Sequence, residues 1–291
     1  MKPHYFFSSV TRCSDLGAEP FETRAIPRDH WATGDFVVCR VRGERSRLYH
    51  CETKSGRMTD LVRGDLLVGA LGRRAATLEG VGDWRKVGPE GRMEALTSAG
   101  LLGKSTSISP LFPNLMHLQY EGHVLRNGCK VGMSDFVVPV ASRPLEAPVI
   151  LLIGTSMSSG KTTAGRIIIR ALKYMGLNVA AAKLTGSARY RDILQCRDAG
   201  ADYVVDFVDA GLPSTVCEES RYSEALDLMI SKVAAHRPRV LVAESGASPL
   251  EPYNGESVVR SLAEHTCFTV LCASDPYAVL GVQTAFGTEL R

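Results

Sequence analysis

The sequence predicts an α/β protein, in which a doubly wound and mostly parallel sheet follows a small β-rich domain. Three observations predict this class. From residue 149 onward, apolar runs of strand length alternate with helix-like segments, which is typical of a parallel sheet covered by helices. Before residue 146, short apolar or β-branched runs are separated by Gly, Asp and Arg. At the start of the second part, the apolar run 149–153 leads into small residues and then Gly-Lys-Thr-Thr.

The N-terminal part is predicted to be a domain of residues 1–146. Runs such as 35–41 and 65–71 begin at a Gly-Asp pair and have the length and composition of strands. The segment 143–148, Arg-Pro-Leu-Glu-Ala-Pro, has the composition of a linker. The second domain is therefore predicted at residues 147–291.

The second domain is predicted to contain five strands and four helices. We expect strands near 149–153, 178–183, 203–208, 240–244 and 268–273, and helices near 161–175, 189–199, 222–235 and 255–265. No further strand or helix is evident after the fifth strand.

The first of these strands is followed by a predicted phosphate-binding loop. Small residues let backbone N–H groups close around phosphate oxygens, and the following helix points its positive N-terminal end at the same anion. In such a loop Lys161 would contact the β and γ phosphates, and the Thr162 hydroxyl would bind Mg²⁺. The residues predicted to bind the cofactor are Gly154, Thr155, Ser156, Ser158, Ser159, Gly160, Lys161, Thr162 and Thr163.

This loop departs from the common pattern at its first position. That pattern has glycine six residues before the lysine, whereas this chain has Thr155 there and its first glycine at Gly154. The form Gly-Thr-x-x-x-x-Gly-Lys-Thr, from Gly154 to Thr162, resembles the loop of dethiobiotin synthetase. The resemblance implies a site for ATP and Mg²⁺.

Residues that follow the other strands are further candidates, because ligands of such sheets bind beyond the carboxyl ends of the strands. Lys183 leaves the second strand, and a buried ammonium needs an anion, which is either a ligand group or a structural salt-bridge partner. Glu244 ends an apolar strand and is the best candidate for a metal-binding carboxylate, the alternative being a cap of the next turn. Asp206 and Asp209 follow the third strand, and either one of them faces the cleft or both are solvated, as loop acids usually are.

The family resemblance extends to these strand ends. Lys183 begins Lys-Leu-Thr-Gly, which resembles the Lys-Pro-x-x-[Ser/Thr]-Gly segment of dethiobiotin synthetase with leucine in place of proline. Asp192 stands where that family has an acidic Mg²⁺ ligand, although a carboxylate at a helix start is often only a dipole partner. Glu244 matches the glutamate of the family's Glu-Gly-Ala-Gly-Gly segment. The resemblance thus implies Thr162, Asp192 and Glu244 as metal ligands, and Lys161 and Lys183 as catalytic residues.

The resemblance covers roughly residues 149–276 and points to the branch of P-loop NTPases that includes dethiobiotin synthetase and the cobyrinic and cobyric acid amide synthases. It implies an ATP- and Mg²⁺-dependent enzyme that activates a small-molecule carboxylate or carbamate by phosphoryl transfer, as a ligase or kinase does. The partner is then a small molecule, a carboxylate or an amine. Enzymes of this branch commonly complete their sites at a dimer interface, so a homodimer is expected.

Two other functions remain open. The two-part layout is similar to that of a family whose members include D-glutamate N-acyltransferases, and in that case the loop would hold the phosphates of coenzyme A. Related P-loop proteins act as dimeric nucleotide switches, but the second lysine that usually marks them is absent from residues 155–159.

Composition and charge exclude several classes of protein. The chain has 291 residues, 45% hydrophobic and 22% charged, as in a soluble globular protein. Its formal net charge of +3 gives no reason to expect a nucleic-acid partner. Eight scattered cysteines have no zinc-ligand spacing, and no apolar stretch is long enough to cross a membrane. We therefore expect a cytoplasmic protein without a signal peptide.

Overall fold

The computed structural model describes residues 4–43, 49–76, 78–111, 114–287 and 289–290, which form two compact units. Unit 1 consists of Met1–Val137 with two short later segments, Ser187–Tyr190 and Gly211–Ser214. Unit 2 consists of Val138–Gly186, Arg191–Ala210 and Thr215–Arg291. The division follows Val137, whereas the sequence predicts a boundary after residue 146. No sequence signal assigns the two short segments to unit 1.

Unit 1 is built from short strands and 3₁₀ turns. Its strands are β1 (Tyr5–Phe7), β2 (Glu22–Arg24), β3 (Phe36–Val41), β4 (Tyr49–Glu52), β5 (Met58–Leu61), β6 (Leu66–Leu71), β7 (Arg73–Ala76), β8 (Gly80–Asp83), β9 (Arg92–Ala95), β10 (Leu101–Ile108), β11 (Met116–Arg126) and β12 (Cys129–Lys130). The 3₁₀ turns are Ser9–Cys13, Arg28–His30, Trp84–Lys86 and Met133–Phe136. The predicted β-rich character of this region is confirmed.

Five strands of unit 1 close into a ring. β3 pairs with β6 and β11, and β9 pairs with β11 and β10, all antiparallel. β10 then pairs with β6 in parallel, which completes the ring. Closure leaves no free edge among these five strands. The core of unit 1 includes Val37, Cys39, Leu67, Met93 and Leu102, all buried on these strands.

Unit 2 contains a five-stranded parallel sheet with intervening helices. In chain order the elements are β13 (Val149–Gly154), α1 (Lys161–Tyr174), β14 (Val179–Thr185), α2 (Tyr190–Asp198, whose first residue belongs to unit 1), β15 (Tyr203–Asp206), α3 (Glu219–Ala235), β16 (Val240–Ser245), α4 (Gly255–Leu262), β17 (Thr266–Cys272) and α5 (Pro276–Phe286). The strands lie in the order β15-β14-β16-β13-β17. This sheet confirms the predicted α/β class for the second part of the chain.

The predicted elements of this part lie within a few residues of the observed ones, with two exceptions. The strand expected at 203–208 ends at Asp206, because residues Phe207–Ala210 form a 3₁₀ turn in which the Asp206 carboxylate accepts the Val208 amide at 2.9 Å. A helix that was not evident from the sequence, α5, follows the fifth strand. Asp275 caps α5 by accepting the Ala278 amide at 3.0 Å, and Pro276 occupies its first turn.

Among the described residues, no helix combines the length and the apolar character needed to cross a membrane.

Candidate functional site

The loop between β13 and α1 turns sharply before the helix begins. Ser158 and Gly160 both adopt left-handed conformations, with φ of 62° and 101°. Gly160 directly precedes the first residue of α1, so the backbone turns there and then enters the helix. Gly154 leaves room for the lysine, because a Cβ at this position would lie 2.6 Å from Lys161 Nζ and would displace that side chain. The loop therefore leads directly into the N-terminus of α1, the end of a helix that favours anions.

Lys161 is a buried cation whose hydrogen-bond acceptors are neutral. The side chain is 5% exposed, and its Nζ donates to the Ser156 carbonyl at 2.7 Å and to Ser159 Oγ at 3.3 Å. Burial lowers the pKa of Lys161, and the positive charge of Lys183 lowers it further, against the opposing effect of Glu244. An anion in the loop would replace the solvation that this ammonium has lost.

Thr162 and Glu244 form the second pair of the site. Thr162 Oγ1 donates to Glu244 Oε2 at 3.0 Å. The two meet because β16 is the hydrogen-bonded neighbour of β13, with Glu244 opposite Leu152. Glu244 is 8% exposed. A hydroxyl beside a carboxylate is a hard oxygen donor set of the kind that fits Mg²⁺, which usually takes one or two carboxylates together with phosphates and water.

Lys183 and Asp192 form an ion pair in unit 2. Lys183 is 7% exposed, and its Nζ donates to the carboxylate of Asp192, in the first turn of α2. Burial alone would lower the pKa of Lys183, but the carboxylates of Asp192 and Glu244 outweigh it and the pKa is raised above 10.5. An Asp192 oxygen thus lies on the lysine in this structure, and its role as a metal ligand with Thr162 and Glu244 stays a prediction. In the described part of the chain, no group of three or more His, Cys, Asp and Glu residues is arranged to hold a metal ion.

Strand register explains why these charges lie together. Lys183 on β14 stands opposite Asp206 on β15 and opposite Glu244 on β16. Asp206 is 1% exposed, so of the two alternatives for this acid the solvated one does not apply. The sequence contains the three residues, but the pairing order of the strands is needed to place the lysine between two acids.

The remaining predicted loop residues take different positions. Ser156 and Ser159 contact Lys161 through the carbonyl and the hydroxyl described above. Thr163 lies exposed in the first turn of α1. Thr155, at the position where the common pattern has glycine, contacts the segment that follows β17 through its side chain. Sequence reasoning missed this contact, and the unusual threonine was its only signal.

Comparison with known proteins adds little to this geometry. No protein-family model matches the chain, and no curated protein matches it. Among solved structures, the chain is similar to the signal recognition particle receptor FtsY from Elizabethkingia anophelis, with a TM-score of 0.31 and 16% identity. That match covers 48% of this chain and 46% of the FtsY chain, so it spans less than half of either.

Proposed function

We propose that unit 2 binds ATP with Mg²⁺ and uses it in phosphoryl transfer to a small-molecule carboxylate or carbamate. The observation that carries the proposal is Lys161. This buried ammonium lies within a loop of left-handed residues at a helix N-terminus, and its acceptors are one carbonyl and one hydroxyl. A phosphate is the anion that such a loop accommodates best, because backbone N–H groups and the lysine then act on the same oxygens.

The strand order supports a doubly wound P-loop domain. The chain passes from β13 to β14 and β15, and then returns through β16 to β17 on the far side of β13. Because parallel crossovers are right-handed, this reversal favours α1 and α2 on one face and α3 and α4 on the other, in keeping with the contact between α3 and α4. The connections after β13 and β16 then leave in opposite directions, and in open α/β sheets ligands bind beyond the carboxyl ends of the strands at such a point.

Each of the charged groups has a role in this proposal. Lys161 would bind the phosphates and orient the transferring group, while Thr162 and Glu244 would hold a Mg²⁺ ion. When bound, Mg²⁺ would neutralise part of the negative charge of the phosphates. The protein then has only to hold the two reacting groups in position. Lys183 offers a second positive charge near Glu244, which suits an acceptor that is itself a carboxylate or carbamate. Its pairing with Asp192 holds the ammonium in place until an acceptor arrives.

The test is calorimetric titration of the full chain with ATP, GTP, ADP and coenzyme A, each with and without Mg²⁺. The variants are Lys161→Ala and, as a matched control, Arg170→Ala, which removes an exposed cation from the same helix. Mg²⁺-dependent ATP binding that is lost in Lys161→Ala and kept in Arg170→Ala supports the proposal. Coenzyme A binding without Mg²⁺ would replace it with acyl transfer, and absence of binding to all four ligands would overturn it.

A further inference from the structure

The side chain of Lys183 lies against the backbones of two glycines in unit 2. A Cβ added at Gly186, which follows the end of β14, would lie 3.4 Å from Lys183 Cε. A Cβ added at Gly246, which follows the end of β16, would lie 3.5 Å from the same carbon. The direction in which the Lys183 side chain points therefore depends on where these two loop backbones are held.

Thr215 holds the backbone of Gly186 through two hydrogen bonds. The Gly186 amide donates to Thr215 Oγ1 at 2.9 Å, and the Thr215 amide donates to the Gly186 carbonyl at 2.9 Å. Gly186 has a φ of 134°, a conformation that residues with a side chain rarely adopt. Because Thr215 is fully buried, no solvent is at hand to replace either bond when it is lost.

The same residue joins Gly186 to the connection between β16 and α4. Thr215 Oγ1 donates to the Tyr253 carbonyl at 2.7 Å, and the Thr215 carbonyl accepts from Asn254 Nδ2 at 2.8 Å. Tyr253 and Asn254 end the connection that Gly246 begins. One hydroxyl therefore accepts a bond from the loop after β14 and donates its only proton to the loop before α4. The two loops that border Lys183 are tied together through Thr215.

We propose that Thr215 is a positioning residue for Lys183. By fixing Gly186 relative to the connection between β16 and α4, it sets the direction of the ammonium that the proposed reaction offers to a carboxylate or carbamate acceptor. The inference rests on the proposed function for the role of Lys183. It adds to that function a buried hydroxyl that acts through the lysine.

The test is acetylation of the full chain with acetic anhydride, in which mass spectrometry follows Lys183 and the exposed Lys86 serves as the internal standard. An accessible, unprotonated amine reacts, so the rate reports on the burial and on the pKa of Lys183. In Thr215→Val we expect this rate to rise about tenfold, because the Gly186 amide loses its acceptor and the loop opens more often. Thr215→Ser keeps the hydroxyl and should react at the wild-type rate.

The control is Thr266→Val, which removes another buried hydroxyl of unit 2, one that donates to the Leu262 carbonyl at 2.8 Å. It should leave the acetylation of Lys183 unchanged. An equal rise in both valine variants, or no rise in Thr215→Val, would overturn the positioning role. If Thr215→Val fails to fold, Asn254→Gly decides the result in the same way, because it removes the amide donor and tolerates the φ of 61° at this position.

The acetylation measurement needs no nucleotide, so the positioning role and the proposed function can fail separately. If ATP binds with Mg²⁺ but Lys183 reacts equally in Thr215→Val and in the wild type, only the positioning role fails. If no nucleotide binds while Lys183 becomes more reactive in Thr215→Val, the proposed function fails and the link between Thr215 and the lysine is supported.

Discussion

The positive charges of two buried lysines in unit 2 are stabilised in different ways. Lys183 has carboxylates beside it, so its positive charge is compensated within the protein and its pKa is raised. The Lys161 ammonium donates to a carbonyl and a hydroxyl, and burial lowers its pKa. Burying an ammonium without a counter-charge costs free energy, and that cost is recovered when an anion binds. The two lysines therefore differ in how much of the counter-charge the protein itself supplies.

Removing the partner of Lys183 should destabilise unit 2. We expect Asp192→Asn to lower the free energy of unfolding by about 3 kcal/mol, because it leaves a buried ammonium without its nearest carboxylate. Glu224→Gln, which breaks an exposed pair with Arg221, is the control and should cost less than about 1 kcal/mol. Denaturant unfolding followed by circular dichroism measures both, and equal effects would contradict the assignment of a buried pair.

The pair of Lys183 and Asp192 also predicts that the stability of the protein depends on pH in alkaline solution. Because the folded pKa of Lys183 is raised above its ordinary value of 10.5, its stabilising effect is complete below that value and is lost as the pH rises through the folded pKa. The wild type should therefore lose stability above about pH 10.5 more steeply than Lys183→Met. Thermal melts from pH 8 to 11 test this, and parallel curves would count against the raised pKa.

Glu244 is expected to matter only when Mg²⁺ is present. We expect Glu244→Gln to weaken binding of ATP with Mg²⁺ at least about tenfold, and to leave metal-free ATP binding unchanged or slightly tighter, because a negative charge near the phosphates is removed. Glu256→Gln, which removes an exposed carboxylate of α4, is the matched control. Calorimetric titration with and without EDTA measures the difference, and an equal loss in both conditions would argue against a metal role.

At the scale of elements, the site is made by the loops that leave the carboxyl ends of β13, β14 and β16. Close backbone approach at these ends requires glycine. Gly246 follows β16, and a Cβ at this position would overlap the carbonyl oxygen of Thr185 at the end of β14. The Thr185 hydroxyl also donates to the Gly246 carbonyl at 2.9 Å. The two strand ends, and with them Lys183 and Glu244, are therefore held at a fixed spacing.

An added methyl group should have opposite effects at two glycines of unit 2. Gly246→Ala is expected to lower the melting temperature by several degrees, because a backbone carbonyl has to move. Gly281→Ala, within α5 and with no atom within 4 Å of its added Cβ, should raise stability by about 0.5–1 kcal/mol, because alanine favours the helix. Scanning calorimetry compares the two, and stabilisation by Gly246→Ala would contradict the close approach.

At the scale of the whole molecule, unit 1 contains a buried charged group and also the tryptophans, whose fluorescence can be measured. Both tryptophans of the chain, Trp31 and Trp84, belong to unit 1. The Asp35 carboxylate is buried and accepts from Lys130 Nζ at 2.7 Å and from the Ala32 amide at 2.8 Å, with His123 Nε2 at 3.2 Å. The Trp31 ring packs 5.3 Å from the ring of His123. Tryptophan fluorescence therefore reports on the surroundings of this carboxylate.

Unit 1 should lose stability in acid through Asp35. Burial would raise the pKa of Asp35, but hydrogen bonds from His123 and Lys130 prevail and the pKa lies below 3.8. Its stabilising effect is therefore present above about pH 4 and is lost as the pH falls through the folded pKa. We expect Asp35→Asn to destabilise unit 1 by about 2 kcal/mol at pH 7 and to flatten the acid transition of tryptophan fluorescence. Asp60→Asn, at an exposed pair with His50, is the control, and an unchanged transition in Asp35→Asn would contradict this role.

The sequence by itself determined the alternation of strands and helices after residue 148, the loop from Gly154 to Thr163 and the β-rich character of the first part. These depend on local signals, namely apolar periodicity, the spacing of Gly, Lys and Thr, and capping residues, which act within a few residues of each other. The same local signals missed α5, whose apolar sequence lacks a clear polar face.

Only the tertiary structure decided which charges meet. The position of Lys183 between Asp206 and Glu244, the contact of Asp192 with that lysine and the link from Thr155 to Ser274 all depend on which strands are neighbours. Pairing order also closed the ring of unit 1, and tertiary contacts assigned two distant segments to that unit. Which strands become neighbours depends on packing and on the direction of the crossovers over the whole sheet. A local pattern of residues therefore does not determine the strand order.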